Sequence, residues 1–152
     1  MDYCNSLRFG LPSVHLLKPQ RLQNAAARLI SNVPHYSHIT PVLCSLHWLP
    51  VKFRIDFKIL VFTFKAIYGH GPSYLIDLIA IEEQQHYNLR SASGLILKYP
   101  GLKLKKTLGD RAFLSAAPNL WNNLPLHISL EDNFERFQFL LKTHLFRLAF
   151  DM

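Results

Sequence analysis

The stretch VKFRIDFKILVFTFKAIY, residues 51–68, decides the fold. Pro50 precedes it and Gly69 follows it, and these residues are typical of a helix start and a helix end. At about 100° per residue, the helix carries two apolar stripes on nearly opposite sides: Phe53, Phe57, Leu60, Phe64 and Ile67 on one, and Ile55, Ile59, Phe62 and Ala66 on the other. A helix that is apolar on two sides packs on two sides. We therefore predict that it lies at the centre of the fold.

Shorter helices are expected on either side of this central one. Spacing at helical intervals predicts helices near residues 21–31, 40–49, 72–81, 110–122 and 131–150. In the first of them we expect Pro19 at the start and an apolar core stripe of Leu22, Ala25, Ala26 and Leu29. In the second, Thr40 is the expected capping residue, since Pro41 follows it.

The region around residues 88–106 has a different character. Short apolar runs alternate there with Ser-Gly and Pro-Gly breaks, a pattern that favours a small β hairpin or sheet. The fold class that we predict is mainly α, a helical bundle around residues 51–68 with this small β element. We expect a single domain over 1–152, helical over 1–81 and combining the β element with helices over 87–152.

The last helix carries one more apolar face than a small monomeric protein needs. The core side is expected to hold Phe134, Phe137, Leu141, Leu145 and Leu148, whereas a second stripe on the other face consists of Phe139, Phe146 and Phe150. An exposed stripe of this kind indicates a missing protein partner. The alternative is that residues 87–122 cover it, and the sequence leaves both open.

Charge is distributed unevenly over the two halves. The net charge is +7, and residues 1–75 hold eight basic side chains against two acidic ones, whereas residues 76–152 hold nine against eight. A basic excess favours an anionic partner, most commonly nucleic acid. The alternative is a basic surface that only maintains solubility.

The basic side chains are organised by face, so we expect them to contact the phosphates of RNA or DNA without sequence specificity. The candidates lie in the first helix, along a ridge of the central helix and in a run after residue 97: Arg21, Arg28, Arg54, Lys58, Lys65, Lys98, Lys103, Lys105, Lys106 and Arg111. Tyr99 and Phe113 are the candidates for stacking on a base.

The sequence gives little support for metal binding or for catalysis. The segment His35, His38, Cys44 and His47 has spacings that zinc sites use, but it is short and holds one thiol, so we expect no metal. A nucleophile elbow, a P-loop, a His-Glu-x-x-His motif and an Asp-Asp pair are absent, so we expect neither an enzyme nor a cofactor. The start has no signal-peptide character, and no apolar run reaches membrane-spanning length. We expect an intracellular chain, cytoplasmic or nuclear, without a small-molecule substrate.

Longer motifs occur in order along almost the whole chain: DYCNSLRFGLP (2–12), LQNAAARLI (22–30), HITPVLCSLHWLPVKFRIDFKILVFTFKAI (38–67), LRSASGL (89–95), GDRAFLSAAPNLWNNLP (109–125) and FLLKTHLFRLAF (139–150). Together they resemble the C-terminal region of reverse transcriptases from LINE-type (non-LTR) retrotransposons, beyond the palm and thumb. Two positions depart from the family pattern. Pro19 interrupts a stretch that is usually helical, and Cys44 replaces a commonly basic residue.

The resemblance implies a supporting role. In such elements the endonuclease and the polymerase, with its Asp-Asp turn, lie upstream, and the C-terminal region is thought to hold template RNA or target DNA. No catalytic residue carries over to this sequence. The chain is then expected to be a detached copy of that region without the catalytic core. Two alternatives stay open: a structural or protein-interaction piece that packs on the polymerase thumb, and a genomic relic without a selected function.

Overall fold

A computed structural model describes residues 5–82, 95–99 and 112–151 of the chain. The secondary structure in these ranges is overwhelmingly helical, which confirms the mainly α fold class. The elements there are a 3₁₀ helix over Asn5–Arg8 and the α-helices α1 (Ser13–Ser31), α2 (Ile39–Ser45), α3 (Val51–Ile67), α4 (Ser73–Ile76), α5 (Phe113–Trp121), α6 (Leu126–Ser129) and α7 (Phe134–Phe150). None of the helices in the described ranges combines the length and the apolarity that crossing a membrane requires.

Helix α3 lies where the sequence predicts it. It runs over Val51–Ile67 and is capped by Tyr68, after which Gly69 turns the chain with a φ of 71°. Such a positive φ carries little steric cost for glycine, so the helix stops there. The 3₁₀ helix, α1, α4, α5 and α7 all pack against α3. The predicted central helix is thereby confirmed.

One face of α3 packs on α7 through aromatic rings. The buried Phe64 ring stacks on Phe137 with a centroid distance of 4.4 Å, and Phe137 lies 5.8 Å from the ring of Trp121 in α5. The predicted stripe residues Phe53 and Phe57 pack around the same cluster. Complete burial of one large apolar side chain stabilises a fold by about 1.5–3 kcal/mol. This aromatic seam therefore holds α7 against α3.

The opposite face of α3 forms a second cluster. Val51, Ile55 and Ile59 are buried there against Ala116 of α5. Phe9, after the 3₁₀ helix, and Leu16 of α1 close the cluster from the sides. Both predicted apolar sides of α3 are thus covered by other helices.

Helix α1 differs from the prediction in length and in orientation. It begins at Ser13 and runs through Pro19, which lies well inside the helix and not at its start. Its buried side chains are Gln23 and Ala27, while Leu22 is exposed and Leu29 is 83% exposed. The predicted core stripe of α1 is therefore wrong, because the helix turns a different side to α3.

Hydrogen bonds of two glutamines explain this orientation. The buried Gln23 donates from Nε2 to the carbonyl of Leu49 at 2.8 Å, and Gln20 accepts from the backbone N–H of Val51 at 2.8 Å. These bonds satisfy backbone groups at the start of α3 that the helix itself leaves unpaired. A buried group left unpaired costs about 1–3 kcal/mol, so the amide contacts outweigh the apolar pattern of α1.

Other boundaries shift for local reasons. Helix α2 begins at Ile39 and ends at Ser45, so Thr40 is not its cap and the predicted extension to residue 49 is wrong; His47 follows with a φ of 53°. Helix α4 is a single turn, and α6 was not predicted. Helix α7 begins later than predicted, because the Asn133 side chain caps it by accepting from the N–H of Arg136 at 3.0 Å.

The predicted β hairpin near residues 88–106 lies largely outside the described residues. Residues 95–99 are the part of it that the structure describes, and they form no strand. Their pairing is a single antiparallel bridge between Leu97 and Ile81. The N–H groups of Glu82 and Lys98 donate across it to Ile96 and Ala80 at 2.9 and 2.8 Å. A hairpin within residues 88–106 is therefore not supported.

A partly buried carboxyl group on α3 makes stability depend on pH. Burial raises the pKa of Asp56 from 3.8 to about 6, although the nearby Lys52 ammonium acts in the opposite direction. A raised pKa in the folded state means that the folded protein favours the protonated form. The stability that this group contributes is present below pH 4 and is lost as the pH rises through 6.

We predict that Asp56→Asn stabilises the protein at neutral pH. The amide has the shape of the protonated acid but carries no charge, so the free energy of unfolding at pH 7 should rise by about 1–2 kcal/mol, allowing for solvent screening. Near pH 4 the gain should vanish. Urea denaturation at both pH values measures this, with the exposed Asp77→Asn as control. An equal gain at both pH values would contradict the prediction.

Candidate nucleic-acid interface

Two of the predicted arginines meet in a groove beside α1. The groove has a volume of about 650 Å³ and is lined by Arg21, Asn24, Ala25, Arg28, Leu29, Asn32, Val33 and His35. Arg21 and Arg28 are seven residues apart, so they fall on one side of the helix about 10 Å from each other along its axis. We call this the α1 groove.

The end of α1 builds the second wall of the α1 groove. Asn32 adopts a left-handed conformation with a φ of 50°, and its N–H donates to the carbonyl of Arg28. The N–H of Val33 donates to the same carbonyl at 3.1 Å. The chain therefore turns back on α1, and this reversal brings Val33 and His35 opposite the arginines.

Arg28 is held in place on one side only. Its Nη2 donates to the carbonyl of Ser37 at 3.2 Å, while its buried Nε has no acceptor among the described residues. A buried donor without an acceptor is costly. A guanidinium is well suited to phosphate, so Arg28 is a candidate for contact with an anion in the groove.

The charged ridge of α3 has a different environment. Arg54, Lys58 and Lys65 are all half-buried. The Lys58 Nζ lies 5.1 Å from the centroid of the Phe62 ring, and the Lys65 Nζ lies 4.9 Å from that of Phe134. Cation–π contacts of this kind are weakly stabilising. The two lysines are thus partly engaged within the protein.

Lys98 and Tyr99 lie at the surface because a clamp holds the residues before them. Asn122 donates from Nδ2 to the carbonyl of Leu97 at 2.9 Å and accepts from its N–H at 3.0 Å. Trp121 Nε1 donates to the carbonyl of Leu95 at 3.0 Å. Leu97 is buried by this clamp, so the two following side chains extend outward, and Tyr99 is 55% exposed.

The other predicted site residues separate into three groups. Lys103, Lys105, Lys106 and Arg111 lie outside the described residues. Phe113 is half-buried against the second cluster of α3. Of the three phenylalanines on α7, Phe139 is 70% exposed, whereas Phe146 stacks on His47 at 5.6 Å and contacts Phe150 at 4.6 Å. Packing within the chain therefore covers much of Phe146 and Phe150.

The histidine- and cysteine-containing segment is spread over several environments. His35 lines the α1 groove, and His47 stacks on Phe146. In the part of the chain that the structure describes, no three His, Cys, Asp or Glu side chains are grouped so that they could hold a metal ion. These residues therefore serve the groove and the packing.

Several features of the interface were not predicted. The sequence places Asn24 on the side of Arg21 and Arg28, which is a signal for its presence in the groove. Asn32 acts locally, through its left-handed conformation at the end of α1. Asn122 has no comparable signal, because it bonds to the backbone of Leu97, which is distant in sequence. Long-range hydrogen bonds leave no period in a sequence.

No protein-family model, curated protein or solved structure matches the chain. The resemblance to LINE-type reverse transcriptases therefore rests on the sequence motifs alone.

We predict that Asn122→Ala weakens the fold through the clamp. The substitution leaves the N–H and the carbonyl of the buried Leu97 without their side-chain partner. The free energy of unfolding should fall by about 1–3 kcal/mol, and amide exchange at Leu97 should accelerate. The neighbouring Asn123→Ala is a matched control, since Asn123 is exposed and bonds only to Asn119. Equal losses in the two variants would disprove the clamp.

Proposed function

We propose that the chain is a non-catalytic nucleic-acid-binding module, related to the C-terminal region of LINE-type reverse transcriptases, that holds RNA or DNA by its phosphate backbone. The observation that carries this proposal is the α1 groove, where Arg21 and Arg28 converge. No acidic side chain is among the described residues that line the groove, and residues 3–55 contain no Asp or Glu. Such a surface attracts polyanions with little dependence on their sequence.

The composition of the α1 groove supports a strand laid along the helix. Arg21 is exposed and adjustable, whereas Arg28 is anchored to Ser37, so the two can contact different phosphates of one strand. Asn24 and Asn32 add amide donors for phosphate or sugar oxygens. Contacts of these side chains to phosphate and sugar do not depend on the base, which fits binding without sequence specificity.

Lys98 and Tyr99 provide a second, independent contact. A cation next to an exposed aromatic ring suits single-stranded nucleic acid, because the cation contacts the phosphate and the ring stacks on a base. The clamp by Trp121 and Asn122 holds this pair at the surface. Both contacts tolerate any base, in agreement with the proposed role of holding a strand.

We predict that Arg21→Gln weakens binding to every single-stranded RNA or DNA by a similar factor. One lost phosphate contact should reduce the slope of log affinity against log salt by about 0.7. Fluorescence anisotropy with a labelled oligonucleotide at several salt concentrations measures this slope. The control is Arg147→Gln, which removes the same charge from an exposed position on α7.

Two results would defeat the proposal. One is that the parent protein fails to bind single-stranded RNA or DNA at low salt. The other is that Arg21→Gln and Arg147→Gln lower the affinity equally, since that would leave only the net charge as the cause.

A second candidate function, docking onto a protein, is favoured by the exposed apolar side of α1. Leu22 and Leu29 lie beside the arginine row, and Val14 and Ile30 are exposed on the same helix. An apolar surface of this kind is typical of an interface. The candidate partner surface thus includes α1 in addition to Phe139, the exposed member of the α7 stripe.

We predict that the double substitution Leu22→Gln and Leu29→Gln suppresses self-association and leaves folding intact. Both side chains are largely exposed, so their loss should change the free energy of unfolding by less than about 0.5 kcal/mol. Analytical ultracentrifugation over a concentration series measures the association. The exposed Leu148→Gln on α7 is the control. If the double variant associates as the parent does, α1 is not the docking surface.

A further inference from the structure

A second cavity lies on the far side of α3 from α7. It has a volume of about 390 Å³ and is lined by Ser6, Leu7, Ile59, Phe62, Pro72, Tyr74, Leu75, Ala112, Phe113 and Ala116. Four elements or their flanks contribute to it: the 3₁₀ helix, α3, α4 and α5. We call it the aromatic cleft, because three of its side chains carry aromatic rings.

The short helix α4 creates the mouth of the aromatic cleft. Pro72 starts the turn, and its carbonyl accepts from the N–H groups of Leu75 and Ile76 at 2.9 and 3.3 Å. Tyr74 is carried on this single turn and is 66% exposed. The floor is different in character, since Ile59 and Ala116 are almost completely buried. The cleft therefore has an apolar floor and an accessible tyrosine at its edge.

The charge around the aromatic cleft favours an anionic ligand. Among the described residues, its lining contains no acidic side chain, and its polar side-chain groups are the hydroxyls of Ser6 and Tyr74. The Lys58 ammonium lies over the Phe62 ring, which itself lines the cleft. A ligand with a flat apolar ring and an adjacent negative charge would match both features.

We propose that the aromatic cleft receives an unstacked base of the single strand whose backbone the protein holds, a step that rests on the proposed function. Rings stack on any base, and hydroxyl groups both donate and accept, so base identity matters little. Lys58 contacts the phosphate next to the inserted base. The position of Lys58 over Phe62 suits this contact.

The test compares two single-stranded DNA probes of equal length, one with bases and one abasic, at the same salt concentration. Both carry the same phosphates, so their affinity ratio isolates contacts to the bases. We expect the parent protein to prefer the probe with bases by about fivefold or more. Tyr74→Ala should reduce this preference severalfold and leave the affinity for the abasic probe unchanged.

Three variants locate the base contact. Phe113→Leu keeps the apolar packing but removes a ring, and it should also lower the preference. Tyr36→Ala, at an exposed tyrosine outside the cleft, should have no effect. Tyr99→Ala measures the base contact of the other exposed candidate. A 2-aminopurine placed in the probe should change its fluorescence on binding to the parent protein, and it should change less on binding to Tyr74→Ala.

The possible outcomes distinguish a failure of the base site from a failure of the proposed function. If neither probe binds, the proposed function fails. If both bind equally, the strand is held without base contacts, and the aromatic cleft is not a base site. If the preference disappears with Tyr99→Ala and persists with Tyr74→Ala and Phe113→Leu, base contacts lie at Tyr99, and the inference is overturned.

Discussion

The burial of α3 on two opposite faces is the constraint on which the rest of the described structure depends. Phe64 is at the centre of it, with ring centroids 4.4 Å from Tyr68 and Phe137 and 5.7 Å from Phe134. The Tyr68 hydroxyl then donates to the carbonyl of Glu131 just before α7, so the two helices are joined at one end by a polar contact. Since α5 covers the other face, α3 cannot offer a broad surface to a ligand. On the proposed function, a bound strand would contact the elements packed around α3.

Polar contacts, and not apolar area, decide how those outer elements are oriented. Helix α1 buries only Gln23 and Ala27 completely, and its position depends on the amide bonds to Leu49 and Val51. Residues 95–99 depend in the same way on the Trp121 and Asn122 side chains. In α1 the bonds come from two side chains and in residues 95–99 from the backbone, and in both segments the outer side chains stay uncovered. The exposed Arg21 and the pair Lys98 and Tyr99 are a consequence.

The same distinction explains what could be predicted from the sequence. Hydrophobic periodicity correctly placed α3 and the buried Phe137, Leu141 and Leu145 of α7, because apolar packing selects those faces. It was wrong for Leu148 of the same predicted face, which is 54% exposed. The periodicity gave the wrong buried face for α1, where the leucine stripe is exposed and a glutamine is buried. The pattern of apolar residues contains no information about a carbonyl, distant in sequence, that needs a hydrogen-bond donor. Arg21 and Arg28 were paired correctly by their spacing, which depends on helix geometry alone. The groove wall that faces them depends on the left-handed Asn32, which no pattern indicated.

The basic residues therefore differ in how readily they can contact phosphate, although nothing in the sequence distinguishes them. Of the ridge lysines of α3, Lys58 lies over Phe62 of the same helix and Lys65 lies over Phe134 of α7, because a helix covered on two sides keeps its charges at the edges of its contacts. A contact with phosphate at these positions competes with the cation–π contact that each lysine already makes. Helix α1 is covered on one narrow side, so Arg21 extends into solvent and Arg28 is oriented by Ser37. On the proposed function, a strand would thus be held first along α1, and α3 would act at the edge of the aromatic cleft, where Lys58 adjoins Phe62.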